Sequence, residues 1–188
     1  MPISRCTFRC MFLLPLFIWT GLTMSLSAAE AASVRTIILS PVVFEDMPVD
    51  RYEQKIAEEL FLNAALEELR KKGYKVKSVS SGAADSPRES ARSHAGDADA
   101  LAVVRIDHYL DAGFGEDTRM ASFLQVYASA RIYATESGEL LWRGEGGGTS
   151  NRNISGVSST RLEISLTADE VVRDLFRSLP PPGDWPTP

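Results

Sequence analysis

Apolar positions recur every three to four residues between Arg51 and Gly73, in RYEQKIAEELFLNAALEELRKKG. Tyr52, Ile56, Leu60 and Ala64 form one row, and Phe61, Ala65 and Leu69 widen it. A 3.6-residue repeat gathers these side chains on one side, so the segment is expected to be an amphipathic helix with that stripe in the core. Asp50 stands at the N-cap, with Glu53 at the capping-box position. Lys71 and Lys72 suit the negative end of the helix, and Gly73 suits the left-handed residue that closes it.

The other segments change period. VRTIILSPVVF, Val34 to Phe44, is a continuous β-branched run and reads as a buried strand, with Pro41 turning its second half into an edge or a bulge. YKVKSV alternates as a short half-buried strand. Ser78 to Ser86 is small and polar, hence a loop, and Ser86 and Pro87 are placed as cap and first residue of a short helix. Ala100 to Asp111 reads as a strand whose second half alternates Ile106, His108 and Leu110 against Asp107 and Tyr109. Ala112 to Met120 is a loop. Ala121 to Glu136 is a long strand with Leu124, Val126, Ala128, Ala130 and Ile132 on one face. A tight turn at Ser137–Gly138 leads into a return strand, ELLWRGEGG. Gly144 to Ser159, rich in Gly, Ser and Asn, is expected to be a loop. A closing helix follows, with Leu162, Leu166, Val171, Leu175 and Leu179 as its core face, and PPPGDWPTP is expected to be an extended tail. The order is β-α-β-α-β-β-β-α. It predicts an α/β (α+β) domain with a single mixed sheet and helices mainly on one face.

The N-terminal segment is of another kind. Arg5 and Arg9 precede the apolar stretch MFLLPLFIWTGLTMSL, and small residues follow. This is the pattern of a secretory signal peptide, with cleavage expected after Ala31. The chain divides into residues 1–31 (signal), 32–179 (domain) and 180–188 (proline-rich tail). Both cysteines, Cys6 and Cys10, fall in the leader, so the exported part has no thiol, disulfide or cysteine-based metal site. Neither stands where a lipoprotein signal would need it. The net charge is −5 for the whole chain. A mildly acidic surface argues against nucleic acid and against anionic membrane surfaces as partners.

Several stretches carry a family likeness: IILSPVVFED opening the domain, ALEELRKKGYKV at the helix-to-strand junction, DADALAVVRIDHY leading the central strand, ATESGELLWRGEG at the hairpin, and LFRSLPPP at the close. Together they resemble periplasmic domains of the TolB N-terminal and CsgG-like group, including small envelope lipoproteins of unassigned function. The resemblance implies a non-catalytic accessory module in secretion, envelope assembly or partner activation. Relatives are often lipidated at a cysteine, which this chain does not offer. A CsgG-type pore needs membrane-spanning strands of about 9–11 residues. The loop Ala112 to Met120 is too short for two of them.

Candidate chemistry is sparse. GEGGGTS, Gly144 to Ser150, has the glycines of a phosphate loop, but no lysine follows and the next helix begins about ten residues later. The glycines are expected to end the sheet, or to leave room where another backbone comes close. His94 and His108 lack triad partners, since neighbours on a strand point to opposite faces and Asp107 is not placed to orient His108. The acidic pair Glu116 and Asp117 lacks calcium-loop spacing. No catalytic residue, metal site or cofactor is expected. Trp142 is assigned to the core. The candidate partner contacts are Arg143, Asn151, Arg152 and Trp185; for Trp185 two arrangements stand open, a free tail that presents it to a partner and a tail folded back that buries it against the domain. The expected function is an exported, non-catalytic envelope accessory protein binding envelope proteins, with a homo-oligomer as one arrangement. The alternative is a periplasmic small-ligand or lipid-binding protein that uses a cleft between the sheet and the Gly144–Ser159 loop.

Overall fold

The computed structural model describes residues 33–45, 51–79, 86–112, 122–152 and 160–185. The leader, the cap expected at Asp50, the acidic pair at 116–117 and the segment 153–159 lie outside the described residues. The fold is α+β. Its strands are β1 (Thr36–Leu39), β2 (Val43–Phe44), β3 (Lys75–Ser78), β4 (Ala100–Ala112), β5 (Ser122–Ala134) and β6 (Leu140–Arg152). Its helices are α1 (Arg51–Lys71), α2 (Pro87–Ser93) and α3 (Thr160–Leu175). The strands make one mixed sheet in the order β3-β1-β4-β5-β6, with β2 beside β4. The pairs β3–β1, β1–β4 and β2–β4 are parallel, and β4–β5 and β5–β6 are antiparallel. Helices lie largely on one side.

The β-branched opening run divides at its proline, which lacks an N–H for the ladder. β1 pairs with Ala100–Ala102, and β2 resumes against Arg105 and Ile106 on the same long neighbour. Helix α1 ends as its sequence predicts. Gly73 has φ +97°. Its N–H donates to Arg70 O (2.9 Å), and the Tyr74 N–H donates to Leu69 O (3.1 Å). This is the Schellman arrangement, which satisfies the last carbonyls. At α2, Ser86 is extended and its side chain makes no capping bond; it serves only through its carbonyl, which accepts from Ser90 N–H at 3.0 Å.

The main core lies between the sheet and helices α1 and α3. Ile37 and Leu39 of β1, Ala102, Val104 and Ile106 of β4, and Leu124 to Ile132 of β5 meet Phe61 and Leu69 of α1 and Ile164, Val171 and Leu175 of α3. The predicted inward row of β5 is buried throughout. A smaller cluster of Ile38, Leu101, Tyr133 and Ala91 seats α2 on the opposite face.

Three expectations about facing need correction. The alternation assigned to the end of β4 breaks at a register shift between Ile106 and His108. The extra residue of the bulge turns Tyr109 inward, fully buried, and leaves Leu110 and His108 outward. Tyr52 is 76% exposed, and the buried row of α1 is Ala57, Phe61, Ala64, Ala65 and Leu69. Leu162 and Leu166 are 52% and 59% exposed, because the row facing the sheet is Ile164, Ala168, Val171, Val172 and Leu175. Two residues on a helix are about 200° of rotation, so the two leucines point away from that row.

The β5–β6 connection is longer than a two-residue turn. Ala134 N–H donates to Glu139 O, and Gly138 N–H donates to Ala134 O, both at 2.9 Å. Gly138 has φ +72°, and a Cβ there would lie 3.1 Å from Arg88 O.

Candidate interaction surface

The glycine segment is a strand. β6 pairs with β5 from Leu140 to Arg152, and Gly144 to Gly148 sit opposite Ala130 to Val126. The expected Gly144–Ser159 loop is therefore wrong for its first nine residues, through Arg152. The cause is α3. A Cβ on Gly144 would come within 2.5 Å of Leu175 O, and one on Gly146 within 2.5 Å of Leu175 N. On Gly148 it would come within 2.9 Å of Val171 Cγ2. Alternate residues of the strand thus face the helix: at Gly144 and Gly146 the missing side chain lets the two backbones touch, and at Gly148 it leaves room for the Val171 side chain. On the other face, a Cβ on Gly147 would meet the Tyr127 ring at 2.9 Å. Gly147 N–H donates to Asp174 Oδ2 at 3.3 Å. The strand is extended, so its amides point alternately to either side and do not converge as a phosphate cradle would require. Along the described part of this segment α3 lies against the strand, and two open depressions flank the contact: one of about 520 Å³ lined by charged side chains that include Glu68, Glu170 and Arg173, and one of about 290 Å³ lined by Tyr127, Glu145 and Asp174 among others.

Among the described residues, nothing beyond α2 packs on the opposite face of β4, β5 and β6. Its cross-strand rows follow from the register. Val103 is opposite Arg131, and Arg131 is opposite Arg143. Arg105 is opposite Ser129, and Ser129 is opposite Glu145. His108 is opposite Tyr127, with ring centroids 6.1 Å apart. Leu110 is opposite Gln125, whose Nε2 donates to Tyr127 OH at 2.9 Å. Arg105 is held by Asp107 (2.6 Å) and Glu45 (3.3 Å). A depression of about 100 Å³ lies where α2 meets this face, lined by Pro87, Val103, Arg105, Ser129, Arg131 and Tyr133.

The four candidate contacts separate. Arg143 is exposed on the bare face. Asn151 and Arg152 are the last residues of the same edge strand, paired with Phe123 and Ser122. Eight residues of strand place them about 26 Å from Arg143. Trp185 does not face solvent. It is 4% exposed, its Nε1–H donates to Tyr74 OH at 3.0 Å, and its ring meets Tyr74 edge-on. Tyr74 OH in turn donates to Pro180 O. Gly183 N–H donates to Val34 O at 3.3 Å. The proline-rich segment through Trp185 is thereby tied to the start of β1 and the end of α1. Burial of the Tyr74 phenol pushes its pKa up, opposed by the Trp185 hydrogen bond and aided by Asp184. Trp142 is partly buried and stacks on Phe176 (5.8 Å), as a core residue should.

Sequence reasoning missed Arg131 and Tyr127. The signal was present: in RIYATESGELLWR, Arg131 and Arg143 become directly opposed once the hairpin has its true length. With a two-residue turn Arg143 would oppose Ile132, because one residue of slip exchanges the faces.

Elsewhere a polar depression of about 410 Å³ is lined by Ser33, Thr36, Asp97, Asp99 and Glu136 among others. Asp99 is used structurally there, accepting the N–H groups of Arg35 and Thr36 at 2.8 Å each. Among the described residues no group of three or more His, Cys, Asp or Glu is placed to hold a metal ion. Among them, too, no helix is long and apolar enough to cross a membrane.

No family model matches the chain, and no curated protein matches it. Solved structures do. Lipoprotein GNA1162 from Neisseria meningitidis aligns over 74% of this chain and 96% of its own, with TM-score 0.50 and 20% identity. A PelC dodecamer from Paraburkholderia phytofirmans aligns over 78% and 92%, with TM-score 0.50 and 15% identity. The hypothetical protein CT253 from Chlamydia trachomatis aligns over 78% and 95%, with TM-score 0.50 and 9% identity. At these identities the likeness is one of fold. The chain shares its fold with bacterial proteins, one of them a lipoprotein.

Proposed function

We propose that this chain is an exported accessory protein of the bacterial cell envelope. In this reading its domain is akin to the TolB N-terminal and CsgG-like group, and it works by binding other envelope proteins without catalysis. The observation that carries the reading is the bare face of β4–β6. A sheet covered on one side by α1 and α3 presents arginines and Tyr127 on the other, which is interface composition. The fold shared with lipoprotein GNA1162 supports an envelope setting. Site-specific photocrosslinking from Tyr127 in intact bacteria, read by mass spectrometry, is expected to recover the same envelope protein in replicate cultures. Recovery of a co-purified small molecule with no reproducible crosslink would reverse the reading.

Self-association is the second reading, supported by the dodecameric state of the PelC neighbour. Light scattering on the purified protein is expected to report a mass above that of one chain. A monomer at all concentrations removes it.

A further inference from the structure

The bare face of β4, β5 and β6 carries a charge arrangement that the fold does not need. Arg131 and Arg143 stand directly opposite each other and both are exposed. Like charges in directly opposed positions of a sheet destabilise it. Arg105 is neutralised by Asp107 and Glu45. Among the described residues no hydrogen bond or ion pair reaches Arg131 or Arg143. Glu145 shares the face, opposite Ser129, and closes no ion pair with either. Two uncompensated cations thus sit on a chain whose net charge is −5.

The kind of cation narrows the partner. Every lysine of the chain lies between Lys55 and Lys77, in α1, β3 and the link between them. Strands β4 to β6 use arginine alone. The planar guanidinium binds a carboxylate through two parallel hydrogen bonds and gives up its water more readily than an ammonium does. Tyr127 is 50% exposed on the same face, four residues or about 13 Å along β5 from Arg131, and Arg131 lines the shallow depression at α2. Arginine and tyrosine around a shallow pocket are what protein interfaces favour at their centres.

We propose that this face docks a partner protein through an acidic segment, with Arg131 and Arg143 gripping carboxylates and Tyr127 offering an apolar contact further along the same face. The proposal rests on the interaction reading above and adds the surface and the chemistry of the partner. The test takes the full-length protein and a fluorescein-labelled poly-glutamate peptide, followed by anisotropy. The peptide is expected to bind, and Arg131→Glu together with Arg143→Glu weakens binding at least about tenfold. Arg143→Glu alone also weakens it, while raising the melting temperature by about 1–4 °C, because an attraction across the strands replaces a repulsion. Arginines kept only for stability would not move the two readouts in opposite directions. Arg173→Glu, on exposed α3 surface, leaves binding unchanged.

Four results would overturn the proposal. One is equal weakening by Arg173→Glu. Another is arginine-dependent binding to phosphatidylglycerol vesicles with none to the peptide. The third is self-association of the chain that the double variant abolishes. The fourth is failure of the peptide to bind while envelope crosslinks persist alike in wild type and double variant; the docking face is then wrong and the interaction reading stands. Loss of crosslinks from the wild type itself sinks that reading.

Discussion

Tyr74 makes three contacts with two partners: its hydroxyl donates to Pro180 O and accepts from the Trp185 indole, and its ring meets that indole edge-on. Replacing it by phenylalanine leaves the buried indole N–H without an acceptor. Tyr74→Phe is expected to cost about 1–2 kcal/mol, read by chemical denaturation at neutral pH. The raised pKa adds a dependence on pH. Below the ordinary value of 10.0 both folded and unfolded chains keep the phenol proton, and the group contributes fully. Above it the unfolded phenol ionises first while burial keeps the folded one protonated, so stability falls as pH rises. Wild type is therefore expected to lose more stability than Tyr74→Phe between neutral pH and about pH 11. A larger loss in the variant would contradict this account. Much at this scale was not legible in the sequence. Nothing in VVRIDHYLD marks the bulge that turns Tyr109 inward, and a proline-rich ending gives no sign that Trp185 will find Tyr74. Those outcomes depend on pairing with distant residues.

At the scale of elements, α1, β5 and the closing Schellman turn follow directly from periodicity and from Gly73. β6 does not. Glycine has low strand propensity because it offers no side chain to pack, and GEGGGTS reads as a loop on that ground. Here the missing side chains are the packing: α3 lies where they would be. The sequence already offered the second option, that the glycines make room for another backbone, but it could not say which backbone. Of the expected inward row of α3, Val171, Leu175 and Leu179 are buried, while Leu162 and Leu166 turn outward and Ile164, Ala168 and Val172 take their places. Gly146→Ala forces a methyl against Leu175 N and Val171 O. It is expected to cost about 2–3 kcal/mol by thermal or urea denaturation, whereas Glu145→Ala, on the exposed face, stays within about 0.5 kcal/mol. Equal effects would show that α3 does not rest on β6.

For the whole molecule, the order of elements was readable because each keeps one period over most of its length. The way the sheet uses its two faces was not. Which side α1 and α3 cover, and which residues are left on the side that no described residue beyond α2 covers, depends on the hairpin register that brings Arg131 opposite Arg143. The leader is read from sequence alone. Protein recovered from the periplasm is expected to begin at Ala32, by N-terminal sequencing and intact mass. Material that retains Arg5 and Arg9 would instead make the segment an anchor, and the domain would then work at the membrane surface.

The contact between α3 and β6 also has a consequence for inheritance. A helix backbone laid on a strand backbone is a filter that acts on every second codon. In a library of all single substitutions across residues 143–149, survival of folded protein should rise and fall with a period of two. Positions 144, 146 and 148 would admit almost nothing, while 143, 145 and 149 would admit most residues and 147 would depend on how far the Tyr127 ring can swing. Such a comb, read from sequencing counts alone, would reveal the buried helix to an observer with no coordinates. It would also mean that this surface diversifies only through the teeth that face outward, Arg143 among them.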